Sequence, residues 1–253
     1  MHSVTVELAP AHLGQLWGLP ITNSLVTSWV VMAMLIIMAA VIYRKLSMAP
    51  SRFQLLLEAL FEYAYDFAAE TFESRELARR FFPLLITIFL FVFAANSIEF
   101  FPGIGSIGFY ENGAFVPLLR SVNTDLNMTL SLTLISVITI ELAGVATLGF
   151  FRYVSKFINF RGHSIGERLL NFIVGLIELV SEVSRLISFS FRLFGNIFAG
   201  EVLVAVITYF VPYMLPSVAI GFEMFVGFIQ AVVFSMLTLF FLKLAVTDPY
   251  AAH

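Results

Sequence analysis

The sequence predicts an all-α polytopic membrane protein with five membrane-crossing helices and an amphipathic surface helix. Its last two long helices are expected to form a steeply tilted antiparallel hairpin. Three observations carry this. Of 253 residues, 60% are hydrophobic and 12% charged, against roughly 25% charged in an ordinary soluble domain, and the mean hydropathy is +0.95. Apolar runs recur at or above the roughly 20 residues that a spanning helix needs. The basic residues gather in the connections on one side of those runs. The whole chain, 1–253, reads as a single integral membrane domain.

Residues 1–22 mix polar and apolar side chains with Pro10, Gly14, Gly18 and Pro20 and are expected at the surface. An uninterrupted apolar run over 24–43 is the first span. The first Lys or Arg of the chain is Arg44, so no basic segment precedes this run, and it is expected to stay as a span rather than act as a cleaved signal. Ser51 caps the start of an amphipathic helix over 51–82, in which Glu58, Glu62, Asp66 and Glu70 recur every four residues. That acidic face is solvated, and its sign argues against anionic lipid and for a protein partner. Pro83 opens the second span, 83–100, with Asn96 and Glu99 at its far end. Glycine and proline exclude regular helix from most of the following loop, up to Pro117. Asp125 and Asn127 open the third span, 126–151, which holds Glu141.

Helical periodicity without a breaking proline then runs over 166–210, and again over 217–246 after a turn at Pro212 to Pro216. The first of these would be roughly 65 Å long, about twice a hydrocarbon core of roughly 30 Å. It must tilt, lie along the membrane or bend, and a tight turn obliges its partner to follow. Six of the fourteen Lys and Arg lie between the first two spans, four between the third and fourth, and Arg120 alone lies on the opposite side. The positive-inside rule therefore puts the N-terminus outside and the C-terminus in the cytoplasm.

Composition also excludes chemistry. Without cysteine there are no disulfides, thiolate nucleophiles or iron-sulfur ligands. His2, His12, His163 and His253 all lie outside the apolar runs, and no metal-binding or cofactor-binding motif is read. A net charge of -3 offers no polybasic surface for nucleic acid.

The function-bearing stretch is 178–201. A charge at mid-bilayer costs roughly 2.5 to 3.5 kcal/mol on insertion scales, so charges there are functional by default. At 100° per residue, Glu178, Ser181, Glu182, Arg185, Ser188, Arg192 and Asn196 form one stripe within about 120° of each other. For Glu178, Glu182 and Arg185 two readings stand, structural pairing along the helix and an ion path. Arg192 has no acidic residue three or four positions away on its own helix, and a guanidinium keeps its charge at any physiological pH. Its counter-charge must come from another helix or another subunit. A hairpin centred near Pro212 places Glu201 near Glu223 and Arg192 near Gln230. The two carboxylates are expected to hold or share a proton, as a transfer site requires, and Gln230 is expected to fix the Arg192 rotamer.

The segment SFRLFGNIFAGE, with Arg192, Leu193, Gly195, Asn196, Ala199, Gly200 and Glu201, resembles the signature of the a subunit of F-type ATP synthase. Asn96-Ser-Ile-Glu99 before FFPG, Asp125-Leu-Asn-Met-Thr129, and Gln230-Ala resemble the same family in the same order. The resemblance implies a proton-translocating stator subunit of the F0 sector, an ion-channel subunit and not an enzyme by itself. It implies that Arg192 faces the carboxylates of a rotating c-ring, and that protons are its only small-molecule substrate. Asn96, Glu99, Asp125, Asn196, Glu201, Glu223 and Gln230 would belong to the outer half-channel, and Glu178, Glu182, Arg185 and Ser188 to the inner one. It further implies peripheral-stalk b subunits and lipid as neighbours; no cofactor is expected, and the positive-inside bias favours a bacterial plasma membrane over an organellar one. In several family members the position of Glu223 is histidine, so the relay there differs in its titrating group. Two other classes were weighed. A self-contained secondary transporter with a midplane site around Arg192 and Glu201 lacks the expected internal repeat. An intramembrane hydrolase using Ser188 or Ser190 lacks a histidine at membrane depth.

Overall fold

In the computed structural model, residues 10–16, 18–47, 50–101, 107–111, 114–157 and 165–247 are described. Parts of two sequence readings, the surface stretch up to residue 9 and the stop at Asp248-Pro249, lie outside them. The chain is built of helices α1 (Asn23–Lys45), α2 (Arg52–Phe72), α3 (Arg75–Ser97), α4 (Leu126–Leu148), α5 (Phe150–Phe157), α6 (Ile165–Phe210) and α7 (Leu215–Val246). Two antiparallel hairpins, β1 (His12–Leu16) with β2 (Leu19–Thr22) and β3 (Gly108–Glu111) with β4 (Ala114–Pro117), flank the ends of the spans. Among the described residues five helices are long and apolar enough to cross a membrane. The all-α polytopic reading therefore holds, and two tight hairpins occupy part of the N-terminal stretch expected at the surface and part of the loop from which regular helix is excluded.

α1 starts where Thr22 Oγ1 accepts from the amide of Leu25. Its first turns bury Asn23, Ser24, Thr27 and Ser28, because they bind the segment that leads into α4. Ser24 Oγ donates to Asp125 Oδ2 at 2.7 Å, and the Arg120 amide donates to Thr27 Oγ1 at 3.1 Å. The rest of α1 exposes apolar side chains such as Ile36, Ile37 and Val41, as a lipid-facing span does.

The boundary expected at Pro83 lies ten residues earlier. α2 ends at Glu73, which takes the left-handed conformation (φ 55), and Ser74 starts α3 by accepting from the Leu77 amide. The helix then runs through Pro83. A proline removes one ladder bond, whereas a left-handed residue followed by a serine cap ends one helix and begins the next. Lys243 Nζ donates to Glu73 Oε1 at 2.5 Å and ties this corner to the end of α7. That hydrogen bond, helped by the ammonium charge, holds the Glu73 carboxyl below the usual carboxylate range. The contact is present at neutral pH and is lost as the pH falls through that lowered value.

The third span also ends earlier than 151. α4 stops at Leu148, Gly149 adopts φ 84 and ψ 148, and α5 departs in a new direction. That backbone region is essentially open to glycine alone.

Three packed clusters make the interior of the described residues. One joins Phe72, Phe81, Ile140, Leu239 and Leu242; a second joins Val92, Phe189, Leu193 and Phe234; a third seats Val31 of α1 on Ala94, Ala95 and Val122. The packing thus centres on α3, α4, α6 and α7. Buried threonine hydroxyls deep in the spans bond back to their own helix, as Thr133 Oγ1 does to Thr129 O at 2.8 Å and Thr238 Oγ1 to Phe234 O at 2.9 Å, so these carry no unmet donor into the core.

α6 has 46 residues and α7 has 32, about 69 and 48 Å at 1.5 Å per residue. Both exceed a hydrocarbon core of roughly 30 Å and must incline or run beyond it. Gly149→Ala, which forces an L side chain into a glycine conformation, is expected to cost about 1 to 3 kcal/mol. A lower thermal inactivation temperature of the assembled complex measures it, with Gly14→Ala, where an added Cβ meets nothing within 4 Å, as the neutral control.

Candidate ion-translocation site

The site lies along the antiparallel seam of α6 and α7, where α3 packs on α7 and α4 on both. The register is set by close approach. A Cβ on Gly200 would lie 2.2 Å from Glu223 Oε1, and one on Gly227 would lie 3.1 Å from Asn96 Cβ. Glycine at these two points lets a carboxylate and an amide occupy the space beside a neighbouring backbone.

Amides bridge the helices above this contact. Asn123 Nδ2 donates to Asn96 Oδ1 at 2.6 Å, and Asn96 Nδ2 donates to the carbonyl of Gly227 at 2.9 Å. Asn196 Nδ2 donates to Gln230 Oε1 at 2.6 Å. Gln230 thus serves Asn196 and not Arg192, because the two helices meet about half a turn further along α6 than a hairpin symmetric about Pro212 would require.

Three carboxylates gather at the end of the seam where Arg120 lies. Glu223 is 5% exposed, on α7. Glu201 is half-buried on α6, and Glu99 is half-buried in the short 3-10 turn Ile98–Phe100 that follows α3. Their charges act on one another, and Arg120 is the cation within the group. Arg120 Nη2 meets Glu201 Oε2 at 3.3 Å, with its side chain 11% exposed. Glu99 Oε2, Glu223 Oε1 and Ser121 Oγ are buried without a protein hydrogen-bond partner. Buried oxygens of this kind call for water or a mobile proton. The Glu201–Glu223 proximity expected from the hairpin is present. Asp125 is engaged elsewhere, capping α4 through the Asn127 amide at 2.9 Å and accepting from Ser24. It fixes the frame of the end of the seam where Arg120 lies.

Arg192 stands on the exposed face of α6. Its Nη2 donates to Ser188 Oγ at 3.3 Å, and it makes no ion pair among the described residues. One to two turns below, Arg185 Nη1 meets Glu182 Oε2 at 2.7 Å and its guanidinium lies 3.7 Å from the centre of the Phe241 ring. An open cleft of about 260 Å³ runs between the two arginines, lined by Ser181, Ser184 and Ser188 with Leu237 and Phe241 across it. Glu178 is half-buried one turn further down.

Sequence reasoning missed Arg120, Ser121, Asn123 and Ser184. Arg120 had a signal, being the sole basic residue on the outer side, but its partner Glu201 is 81 positions away. Ser184 lies just beside the stripe and joins the cleft through the breadth of the groove against α7.

Fold and seam together define a multi-pass helical membrane protein with buried carboxylates at one end of a polar helix face and a fixed, uncompensated cation on that face. The family profile described as ATP synthase A chain matches residues 25–243, and the chain belongs to that family: it is a membrane ion-translocating subunit of the F-type complex and not an enzyme by itself. It is 30% identical over 235 residues to "ATP synthase subunit a, sodium ion specific" of Propionigenium modestum, covering 92% of this chain and 76% of the relative. It is 33% identical over 207 residues to ATP synthase subunit a of Campylobacter jejuni strain 81-176, covering 82% of each. The Moorella thermoacetica subunit a is 27% identical over 233 residues, covering 92% of this chain and 94% of the relative. Family membership sets the transporter and hydrolase readings aside.

The Gly200 contact is testable. Gly200→Ala must displace the Glu223 carboxylate and is expected to lower ATP-driven ion pumping about tenfold, since an error near 1 Å in a reacting group is costly. Shortening the acid in Gly200→Ala/Glu223→Asp should recover part of the rate. Gly221→Ala, with nothing within 4 Å of the added Cβ, should leave it unchanged.

Proposed function

We propose that this chain is the proton-carrying stator of the F0 sector, with Arg192 facing the carboxylates of a rotating c-ring between two offset half-channels. The observation that carries the reading is a permanent cation on a membrane face that finds no carboxylate among the described residues. A ring carboxylate facing lipid must be neutral, because an isolated charge in hydrocarbon is prohibitive. Opposite Arg192 the anion is stabilised, so the carboxylate releases its proton there and takes another before re-entering lipid.

Glu99, Glu201 and Glu223, with Asn96, Asn196 and Gln230, form the outer half-channel, and Asp125 holds its frame. The cleft with Ser188, Arg185, Glu182 and Glu178 opens the inner one. Arg192 separates the two water paths. A potential of 100 mV contributes about 2.3 kcal/mol per charge moved, and the offset between the paths converts that work into rotation. α6 and α7 are the inclined wall against the ring, and peripheral-stalk b subunits complete the stator. The basic connections face the cytoplasm of a bacterial cell, and the N-terminus lies outside.

Arg192→Ala in the assembled complex is expected to abolish ATP-driven proton pumping while the subunit is still incorporated. Wild-type pumping in that variant would remove Arg192 from the mechanism. Pumping by the unmodified complex is expected to be indifferent to added sodium; a sodium requirement would replace the proton as the coupling ion.

A further inference from the structure

Half-buried Glu141 and buried Tyr153 form a hydrogen-bonded pair that the half-channel residues above do not include. Glu141 sits seven residues from the end of α4, about 10 Å inside the span, where an ionisable group is functional by default. Its Oε2 accepts from the Tyr153 hydroxyl at 2.8 Å, whereas its Oε1 is buried without a protein partner. One oxygen is fixed and the other is left open.

Several features of the chain deliver Tyr153 to this place. Gly149 turns α5 back under α4 through its φ of 84. Gly144 makes room for the ring, since a Cβ there would lie 2.3 Å from Tyr153 Cε2, and Tyr153 is left 4% exposed. The phenol is pushed far above its ordinary range, first by burial, then by its hydrogen bond to Glu141 and by the Glu141 and Glu182 charges, with Arg185 opposing. Tyr153 therefore remains a donor and carries no charge of its own. The same charges show that the pair borders Glu182 and Arg185, and Arg185 in turn lines the cleft that reaches Arg192. A purely structural tie between α4 and α5 would need neither an ionisable acid nor an open oxygen.

We propose that Glu141, positioned by Tyr153, is a proton relay of the inner half-channel, between the serine-lined cleft and the cytoplasm. This rests on the half-channel reading above. The Oε1 atom takes a proton from water on the cleft side, forming an O–H bond, and gives that proton to water on the cytoplasmic side. Nothing is oxidised or reduced, and Glu141 returns to its starting state.

The test uses inside-out vesicles holding the assembled complex, with passive proton conductance measured after F1 is stripped. Glu141→Gln is expected to lower conductance about tenfold or more, the scale of losing a proton-transfer group, and Glu141→Asp to keep most of it. Tyr153→Phe keeps the ring beneath Gly144 and should lower conductance about two- to threefold through the lost hydrogen bond. In the double variant Tyr153→Phe/Glu141→Gln the second change should add nothing, the non-additivity expected of a residue acting through another. Additive losses would overturn the positioning role of Tyr153.

The chain has no cysteine, so Glu141→Cys gives a single reporter in this subunit. It should react with a membrane-impermeant thiol reagent from the cytoplasmic face, and protection there overturns the relay even if Glu141→Gln fails to assemble. Wild-type conductance in Glu141→Gln, with ATP-driven pumping abolished in Arg192→Ala, overturns this inference alone. Pumping that survives Arg192→Ala overturns the reading it rests on.

Discussion

A guanidinium that cannot shed its charge, set on a membrane face, constrains everything around it. A carboxylate in the same position could neutralise itself by taking a proton, and the surrounding helices would then be free to bury it. Arg192 allows no such escape. Its local partner is the neutral hydroxyl of Ser188, which orients the side chain without cancelling it. The carboxylates of the chain are held away: Glu201 by Arg120 and Glu182 by Arg185. The acids nearest along α6 thus have cations of their own, and the charge on Arg192 stays available to a partner.

The seam that holds this arrangement is made by atoms that are missing. In lipid there is little hydrophobic drive between helices, so close packing and interhelical hydrogen bonds must supply the association. Gly200 and Gly227 remove two Cβ atoms where α6 and α3 press against α7. Into those gaps go the Glu223 carboxylate and the Asn96 amide. The amide links Asn123 to Asn96 to Gly227, and Asn196 to Gln230, then fix the register with bonds of 2.6 to 2.9 Å. A one-residue slip of α7 would break these contacts together and push the buried acid out of its recess.

Much of this was legible in the sequence, for identifiable reasons. Span lengths and the polar stripe of α6 are local periodicities, readable within twenty residues, and the hairpin follows from two long runs and one proline-bounded turn. That geometry sufficed to bring Glu201 to Glu223. It failed for Arg192 and Gln230, because one turn of register decides which polar group a glutamine meets. The break between α2 and α3 was misplaced because proline is a louder signal than the Glu73-Ser74 pair, although the left-handed residue and the serine cap decide the boundary. Arg120 with Glu201 and Lys243 with Glu73 are pairs 81 and 170 positions apart, and no spacing rule reaches them. Tyr153 meets Glu141 across only 12 positions, but its place depends on a glycine turn whose direction the sequence does not state.

The two ends of α6 differ in a way that bears on leakage. Near Glu201, three carboxylates share the cation Arg120, and buried oxygens are left without protein partners. On the other side of Arg192, Glu182 and Arg185 pair with each other and hydroxyls line the open cleft. Arg192 lies about 14 Å from Glu201 and 10 Å from Arg185 along the axis, at 1.5 Å per residue. A proton hopping directly along the polar face would have to pass a fixed positive charge in a medium that screens it poorly. In the proposed mechanism the same charge that repels a free proton attracts the anion of a ring site. In that mechanism one side chain blocks the short circuit and powers the exchange, which neither a neutral residue nor a titratable one could do at that position.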